Sequence, residues 1–123
     1  MDKSQIKQIK DEIKEKEELL AKGEEAVMLS EAIKRLEKNK DFQMVILDKF
    51  IEKECARQTR LAVDPDLEER LRPLVISGSQ AAGHLMIFMK HMHKFAEMAR
   101  YNVEPLEKDI EELNYLLNAQ DGE

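Results

Sequence analysis

The fold of this protein is decided by the stretch LVISGSQAAGHLMIFMKHMHKFAEMARYNVEPLEKDIEELNYLL, residues 74–117. Its apolar and small side chains recur at gaps of three or four residues, which places them on one stripe of an α-helix. The stripe consists of Leu74, Gly78, Ala81, Leu85, Phe88, Met92, Phe95, Ala99, Val103, Leu106, Ile110, Leu113 and Leu117. Two consecutive gaps of four, at Phe95, Ala99 and Val103, make the rhythm slip once. We therefore expect a long helix that packs against other helices.

The bulky residues on and beside this stripe form the predicted helix-packing surface, which serves either as an interface or as a core. They are Leu85, Phe88, Met89, Met92, Phe95, Leu106, Ile110, Leu113 and Leu117. Methionine fills irregular gaps in a core and also suits adaptable binding surfaces, so both interpretations stay open. A slimmer section, residues 78–83, would let another helix approach closely.

The composition points to the same fold class. Of the 123 residues 37% are charged and 5% aromatic, with four Gly and three Pro, a balance typical of long solvated helices. The length suits one domain. We expect a single all-α domain, an elongated helical bundle or helical hairpin with coiled-coil character.

The first predicted helix covers residues 1–37 and is strongly charged, with a thin apolar seam and a polar end that frays or orders against a partner. Its seam consists of Ile6, Ile9, Ile13, Leu20, Val27, Ile33 and Leu36. Basic residues crowd its C-terminal end and continue in the next helix: Lys34, Arg35, Lys38, Lys40, Arg57 and Arg60. They either complement the helix dipole or contact phosphate or an acidic partner.

Three further helices follow. After a break at residues 39–41, the second helix covers residues 41–61. Asp64 as an N-cap and Pro65 at the first helical position predict a short helix over 65–72. Pro73 then begins the long C-terminal helix over 73–118, which kinks at Pro105 or restarts there. Residues 119–123 are expected to be a frayed acidic tail.

Charge and hydropathy limit the classes of partner. Residues 1–103 carry 19 acidic and 19 basic side chains, whereas residues 104–123 carry seven acidic residues and only Lys108. This balance argues against broad sequence-independent DNA binding, although local basic patches leave it open. No run of 18 apolar residues and no signal-peptide core occur, and Cys55 is the single cysteine. We expect no membrane contact and an intracellular protein in a reducing compartment.

The sequence offers no recognisable catalytic or metal site. His84 and His91 share a helix face, but His93 is turned about 160° from His91 at about 100° per residue. Zinc-protease, nucleophile-elbow and phosphate-loop motifs are missing from the sequence. We therefore predict no catalytic residue, no metal and no cofactor, and a protein that is not an enzyme.

One segment resembles a known class of proteins. Residues 36–61, LEKNKDFQMVILDKFIEKECARQTRL, carry a pattern of leucine, asparagine, aspartate-phenylalanine, an aliphatic pair, an aromatic residue, glutamate and arginine. The matching positions are Leu36, Asn39, Asp41, Phe42, Ile46, Phe50, Glu54 and Arg57. This pattern is similar to that of small all-helical proteins of tailed bacteriophages, over about a fifth of the chain. The resemblance implies phage origin, a place in the host cytoplasm or virion, and association with virion assembly or genome packaging.

Three functions are compatible with these observations. The first is a non-enzymatic virion-assembly or virion-associated protein that forms homo-oligomers and binds a larger phage or host protein. The second is a small DNA-binding packaging subunit that gathers the basic residues onto one surface. The third is an inhibitor of a host protein. We favour the first, because the long apolar stripe suits helix–helix association.

Overall fold

The computed structural model describes residues 1–121, with side chains through residue 119. All regular structure in this part of the chain is helical, which confirms the all-α class. Three long helical segments follow one another: α1 (Lys3–Lys38), a composite segment over residues 40–62, and α4 (Arg72–Asp121).

Helix α1 begins with a reciprocal cap that the sequence analysis overlooked. The Gln5 N–H donates to Asp2 Oδ1 over 2.8 Å, and the Asp2 N–H donates to Gln5 Oε1 over 3.0 Å. Such a capping box satisfies two of the donors that a helix start leaves open. The charged N-terminal segment is thereby helical from Lys3 onward.

The composite segment is wound more widely in its middle than an α-helix. It contains α2 (Lys40–Phe42), a π-helix (Gln43–Glu54) and α3 (Cys55–Ala62). Asn39 caps its start, because Asn39 Oδ1 accepts the Phe42 N–H over 3.0 Å. At its other end, the Cys55 N–H bonds to the carbonyl of Phe50, five residues back.

Apolar residues in this segment form two neighbouring rows. Side chains four residues apart stay near one face of a helix. Two rows of half-buried residues have this spacing: Phe42, Ile46 and Phe50, and beside them Leu47, Ile51 and Cys55. The predicted second helix is present, but its central winding was not predicted.

The predicted short helix over 65–72 is wrong for its first half. Residues 65–68 form a turn, and only Glu69–Leu71 form a single 3-10 turn before α4 begins. Asp64 Oδ1 accepts the Asp66 N–H over 2.9 Å, so Asp64 stabilises a turn instead of a helix start.

Arg72 supplies the physical reason for this turn. Its guanidinium donates to the backbone carbonyls of Ala62 at 2.5 Å, Asp64 at 3.1 Å and Leu67 at 3.4 Å. It also pairs with Glu69 at 2.9 Å. One side chain therefore satisfies carbonyls that would otherwise need a helix or water.

Helix α4 is assigned without interruption and contains Pro105 in its interior. Of the two alternatives at Pro105, the restart is therefore wrong, while the kink stays a prediction. The helix begins at Arg72, one residue before the predicted Pro73, and continues through Asp121. Residues 119–121 thus belong to the helix, while residues 122–123 of the predicted tail lie outside the described residues.

The chain divides into two compact units. Unit 1 combines Met1–Leu29 with the chain from His93 onward, and unit 2 is Ser30–Met92. In unit 1 the apolar side chains of Ile13 and Ala96 are buried. In unit 2 the buried residues are Ile33, Ala82 and Ser30.

In unit 2, α3 packs against the first part of α4. The Cys55 thiol donates to the backbone carbonyl of Ser79 over 2.9 Å. The Gln58 side chain covers Gly78, where an added Cβ would lie 3.0 Å from Gln58 Oε1. The predicted slim section is therefore contacted by a side chain at Gly78, whereas the space beside Gly83 is open.

Candidate association surface

In unit 1 the N-terminal part of α1 and the C-terminal part of α4 pack in antiparallel directions. Lys16 Nζ lies 3.3 Å from Asp109 Oδ2. Seven residues further along α1, a Cβ added to Gly23 would lie 3.1 Å from the Cβ of Ala99. The residue of α4 in contact there, Ala99, lies ten positions before Asp109, so the two helices run in opposite directions.

The seam of α4 has a stricter rhythm than the predicted stripe. Alternating gaps of three and four connect thirteen of its described buried and half-buried residues without a slip: Val75, Gly78, Ala82, Leu85, Met89, Met92, Ala96, Ala99, Val103, Leu106, Ile110, Leu113 and Leu117. This uninterrupted heptad pattern is that of a coiled-coil seam. Seven of the nine residues in the predicted packing surface therefore lie on the seam.

Phe88 and Phe95 are the two exceptions. They are 53% and 49% exposed, and their seam places are taken by Met89 and Ala96. The predicted stripe and the buried seam therefore differ at these two positions, and the use of Phe88 and Phe95 as an interface stays a prediction. Ala96 is fully buried. We attribute this to close helix approach, because Gly23 and Ala99 nearly touch one turn away and leave room for a methyl group.

Phe95 instead lines an apolar groove of about 460 Å³ along unit 1. From α1 the groove is lined mainly by Leu19, Leu20, Gly23 and Ala26, and from α4 mainly by Phe95, Met98, Ala99 and Val103. Lys22 and Asn102 are the polar side chains of its lining. We call this side of unit 1, defined by Leu19, Ala26, Phe95 and Met98, the apolar flank.

The opposite side of the same helix pair is charged. Leu19 and Phe95 each come one residue before a seam position, whereas the residues one after seam positions lie on the other side. Those residues are Glu17 and Glu24 on α1, and Arg100 and Glu107 on α4, all exposed. Around Ala99, unit 1 therefore presents charged residues on the side opposite the apolar groove.

The predicted basic residues do not act as one group. Lys34, Arg35, Lys38 and Lys40 are exposed around the end of α1. Arg57 is held within its own helical segment, since its Nη2 donates to Glu54 Oε1 at 2.5 Å and its Nε donates to Glu54 Oε2 at 3.0 Å. Arg60 is exposed and belongs to α3.

Hydrogen bonds to Glu54 change its acidity. The bond from Arg57, followed by the bond from Gln58 Nε2 at 3.1 Å, lowers the pKa of Glu54 from 4.5 to about 2. The same carboxylate raises the pKa of Arg57. Glu54 thereby orients Gln58, whose side chain packs against Gly78. This ion pair supports the fold, so Arg57 is the least available of the six proposed phosphate contacts.

Metal-ligand side chains do not come together within the part of the chain that the structure describes, where no group of three His, Cys, Asp or Glu residues could hold an ion. Over the same residues, no helix has an apolar stretch long enough to cross a bilayer.

Sequence reasoning missed the residues that shape this surface from α1. Leu19 and Ala26 do not belong to the predicted seam, but each comes directly before a seam residue of α1, Leu20 or Val27. The same one-residue offset relates Phe95 to Ala96. A search for two adjacent apolar rows on each helix would have found the flank.

Comparisons with protein-family models, with curated proteins and with solved structures found no match to this chain. The class that the fold and surface define is that of an all-α protein built on a coiled-coil seam, with an apolar flank on one of its units.

Proposed function

We propose that this chain is a non-enzymatic protein that works by helix–helix association in bacteriophage virion assembly or as a virion-associated component. It associates with other copies of itself and with a larger phage or host protein. The observation that carries this proposal is the exposure of large apolar side chains beside the seam. Phe88, Phe95 and Met98 are each about half exposed on α4.

Exposed apolar side chains indicate an association site only when they are contiguous. Single ones are common on monomeric proteins, whereas a continuous patch marks a site of association. The groove of unit 1 joins Leu19, Phe95 and Met98 into one such patch, lined by both helices. Burying it would stabilise a complex by about 25 cal/mol per Å² before the entropic cost of association.

The phage context rests on the resemblance of residues 36–61 to small helical phage proteins. That segment coincides with the end of α1 and the composite helix of residues 40–62. Met44 and Val45 in the π-helix are exposed and available to a partner.

Sedimentation of the purified chain, alone and with purified virions or assembly intermediates, tests this function. We expect a native mass that rises with protein concentration, together with co-sedimentation with a virion component. A chain that stays monomeric and remains in the supernatant would contradict the proposal.

DNA packaging is the second candidate, favoured by the exposed cations Lys34, Arg35, Lys38 and Lys40. If these residues bind phosphate, retention on DNA should weaken steeply with added salt. The variant Arg35→Gln should then lower the salt dependence, whereas Arg70→Gln, which removes a charge from the turn before α4, serves as the control. Equal DNA retention by both variants would remove this candidate.

A further inference from the structure

We propose that α1 carries a self-complementary row of charges through which two copies of this chain associate in antiparallel directions. This inference rests on the proposed function and deepens it by naming one partner, a second copy, and the surface that it contacts. The row lies within unit 1, and from Lys7 onward each member comes one residue after a buried or half-buried residue of α1. We call it the charged row, and its members are Lys3, Lys7, Lys10, Lys14, Glu17, Ala21, Glu24 and Met28.

Charge is segregated along this row. Alternating gaps of four and three residues place its eight members on one face of α1, where all of them are exposed. The first four positions are lysines, and the two acidic members, Glu17 and Glu24, follow in the second half. The segregation holds when neighbouring charges are included. Residues 3–14 carry four basic and two acidic side chains, whereas residues 15–25 carry two basic and five acidic ones.

The charges of the row are not matched within the chain. Among the described residues, no ion pair or side-chain hydrogen bond involves any of its lysines or glutamates. Successive lysines are three or four residues apart, so they repel one another along the helix. Lys3 also lies in the first turn of α1, which holds no acidic residue, although a helix start favours negative charge. Carboxylates supplied from outside the chain would therefore stabilise the lysine half.

The spacing of the row is the same in both directions along the chain. Its gaps alternate between four and three and both begin and end with four, so a second α1 that runs antiparallel can match it position for position. In that register Lys7 lies opposite Glu24 of the second copy, and Lys14 lies opposite Glu17 of the second copy. Two-fold symmetry repeats both contacts, which gives four ion pairs.

The uncharged members of the row lie opposite the remaining lysines. In the same register Lys10 lies opposite Ala21, and Lys3 lies opposite Met28. A lysine covers such a residue with its hydrocarbon stem while its ammonium group stays in water. No two like charges of the row are opposite each other. A parallel arrangement in register would instead place lysine against lysine, so the row specifies the orientation as well as the partner.

A polyanion such as nucleic acid would match only half of the row. Phosphates attract the lysines, but Glu17 and Glu24 on the same face repel them. The row instead requires a partner with the two signs in the reverse order at the same spacing, and an antiparallel α1 has this pattern. Because exposed ion pairs contribute little one by one, the contact depends on all four together and should weaken with added salt.

Two charge-reversed variants test this pairing. The basic variant, with Glu17→Lys and Glu24→Lys, has lysine at all four contact positions. The acidic variant, with Lys7→Glu and Lys14→Glu, has glutamate at all four. We expect each variant alone to raise the dissociation constant of the dimer by about fiftyfold or more, because every contact becomes repulsive. An equimolar mixture of the two should form a heterodimer, because each lysine then meets a glutamate.

Sedimentation equilibrium at low and high salt measures these constants, and circular dichroism reports whether each variant remains helical. The matched control is Glu12→Lys with Glu15→Lys, which makes the same change of charge at exposed positions on another face of α1. The control should leave the dissociation constant within about threefold of the wild type. If the basic variant loses helicity, Glu17→Gln with Glu24→Gln replaces it, since it removes the attraction without adding repulsion and should still weaken the dimer.

The outcomes separate this inference from the proposed function. A heterodimer that forms only in the mixture supports the charged row. A wild-type oligomer that both charge-reversed variants leave intact, or that the control weakens equally, would overturn the row while leaving association itself standing. A mixture that stays monomeric would overturn it as well. A wild type that is monomeric at every concentration would also overturn the inference, and co-sedimentation with virion components would then decide the proposed function separately.

Discussion

At the residue scale, two glycines on long helices have opposite surroundings. Gly23 faces Ala99, and an added Cβ would lie 3.1 Å from the Ala99 Cβ and 3.8 Å from its Cα. Gly83 has no atom within 4 Å of the same position. Glycine in a helix interior costs about 1 kcal/mol relative to alanine. Close packing against Ala99 therefore explains a glycine at Gly23, whereas no such contact requires a glycine at Gly83.

The pair of variants Gly83→Ala and Gly23→Ala tests this difference. We expect Gly83→Ala to raise the free energy of unfolding by about 1 kcal/mol. Gly23→Ala should lose that gain, because overpacking against a neighbouring helix costs about 1–3 kcal/mol. Urea denaturation measures both. Equal stabilisation by the two variants would mean that α1 and α4 approach less closely at Ala99.

Glu54 shows how a surface carboxylate can organise its neighbours. Its pKa is lowered from 4.5 to about 2 by hydrogen bonds from Arg57 and Gln58. A carboxylate whose folded pKa is lowered stabilises the fold above its unfolded pKa. That stabilisation is lost as the pH falls from about 4.5 towards 2.

Carbon-detected NMR titration of the Glu54 carboxyl group measures this shift. We expect the transition near pH 2 in the wild type. In Arg57→Gln it should move up towards 4.5, because the hydrogen bond from Arg57, the largest cause of the lowered pKa, is gone. A transition that stays in place after this substitution would show that Arg57 does not hold the carboxylate.

At the element scale, the turn between α3 and α4 depends on a single side chain. Arg72 donates to three carbonyls of residues 62–67 and pairs with Glu69, and its side chain is 22% exposed. Arg70 in the same turn is 77% exposed and pairs only with Glu68 among the described ion pairs. Such an exposed pair contributes little.

We expect Arg72→Ala to lower the free energy of unfolding by about 2–3 kcal/mol, since it leaves several carbonyls without donors. Arg72→Lys should rescue little, because an ammonium group lacks the planar fork that reaches three acceptors. Arg70→Ala is the control and should change stability by less than about 0.5 kcal/mol. Thermal denaturation would refute this role if Arg72→Ala behaved like Arg70→Ala.

A second prediction at this scale concerns the stability that the seam of α4 provides. Met92 lies on the seam, whereas Phe88 lies beside it and is 53% exposed. Met92→Asp should lower the free energy of unfolding by about 3 kcal/mol, because it places a carboxylate among apolar side chains. Phe88→Asp should cost less than about 1 kcal/mol. Urea denaturation, followed by helicity, distinguishes the two variants. A larger loss of stability in Phe88→Asp would mean that the buried seam runs one residue earlier, through Phe88.

At the scale of the whole molecule, few of the described apolar side chains are fully buried. The apolar residues that are more than nine-tenths buried, among those described, are Ile13, Ile33, Ala82 and Ala96. Two of these four are alanines, which contribute little apolar area. We expect a chain with so few buried apolar side chains to gain stability when a partner covers its exposed apolar surface.

We therefore expect the midpoint of thermal unfolding to rise with protein concentration, since association stabilises the folded state by mass action. Differential scanning calorimetry across a wide concentration range measures this. The variant Met98→Glu places a charge in the groove of unit 1 and should weaken association there. Its midpoint should therefore depend less on concentration. A wild-type midpoint that stays constant would contradict the view that the fold is stabilised by association.

The sequence by itself determined the helical class, the long C-terminal helix and the break at Asn39. These follow from local signals, namely apolar residues at gaps of three and four, charged residues elsewhere, and capping residues between the segments. Such signals act within a few residues along the chain. They are therefore readable without a three-dimensional structure.

Only the tertiary structure decided which of two adjacent apolar rows is buried. Gaps of three and four placed Phe88 and Phe95 on the predicted stripe, but Met89 and Ala96 fit such gaps equally well one residue later. The close approach of Gly23 to Ala99 instead leaves room for a methyl group at Ala96 and places Phe95 at the groove. The distance between two helices fixes the size of the side chain between them, and that distance depends on residues about 75 positions apart in the chain.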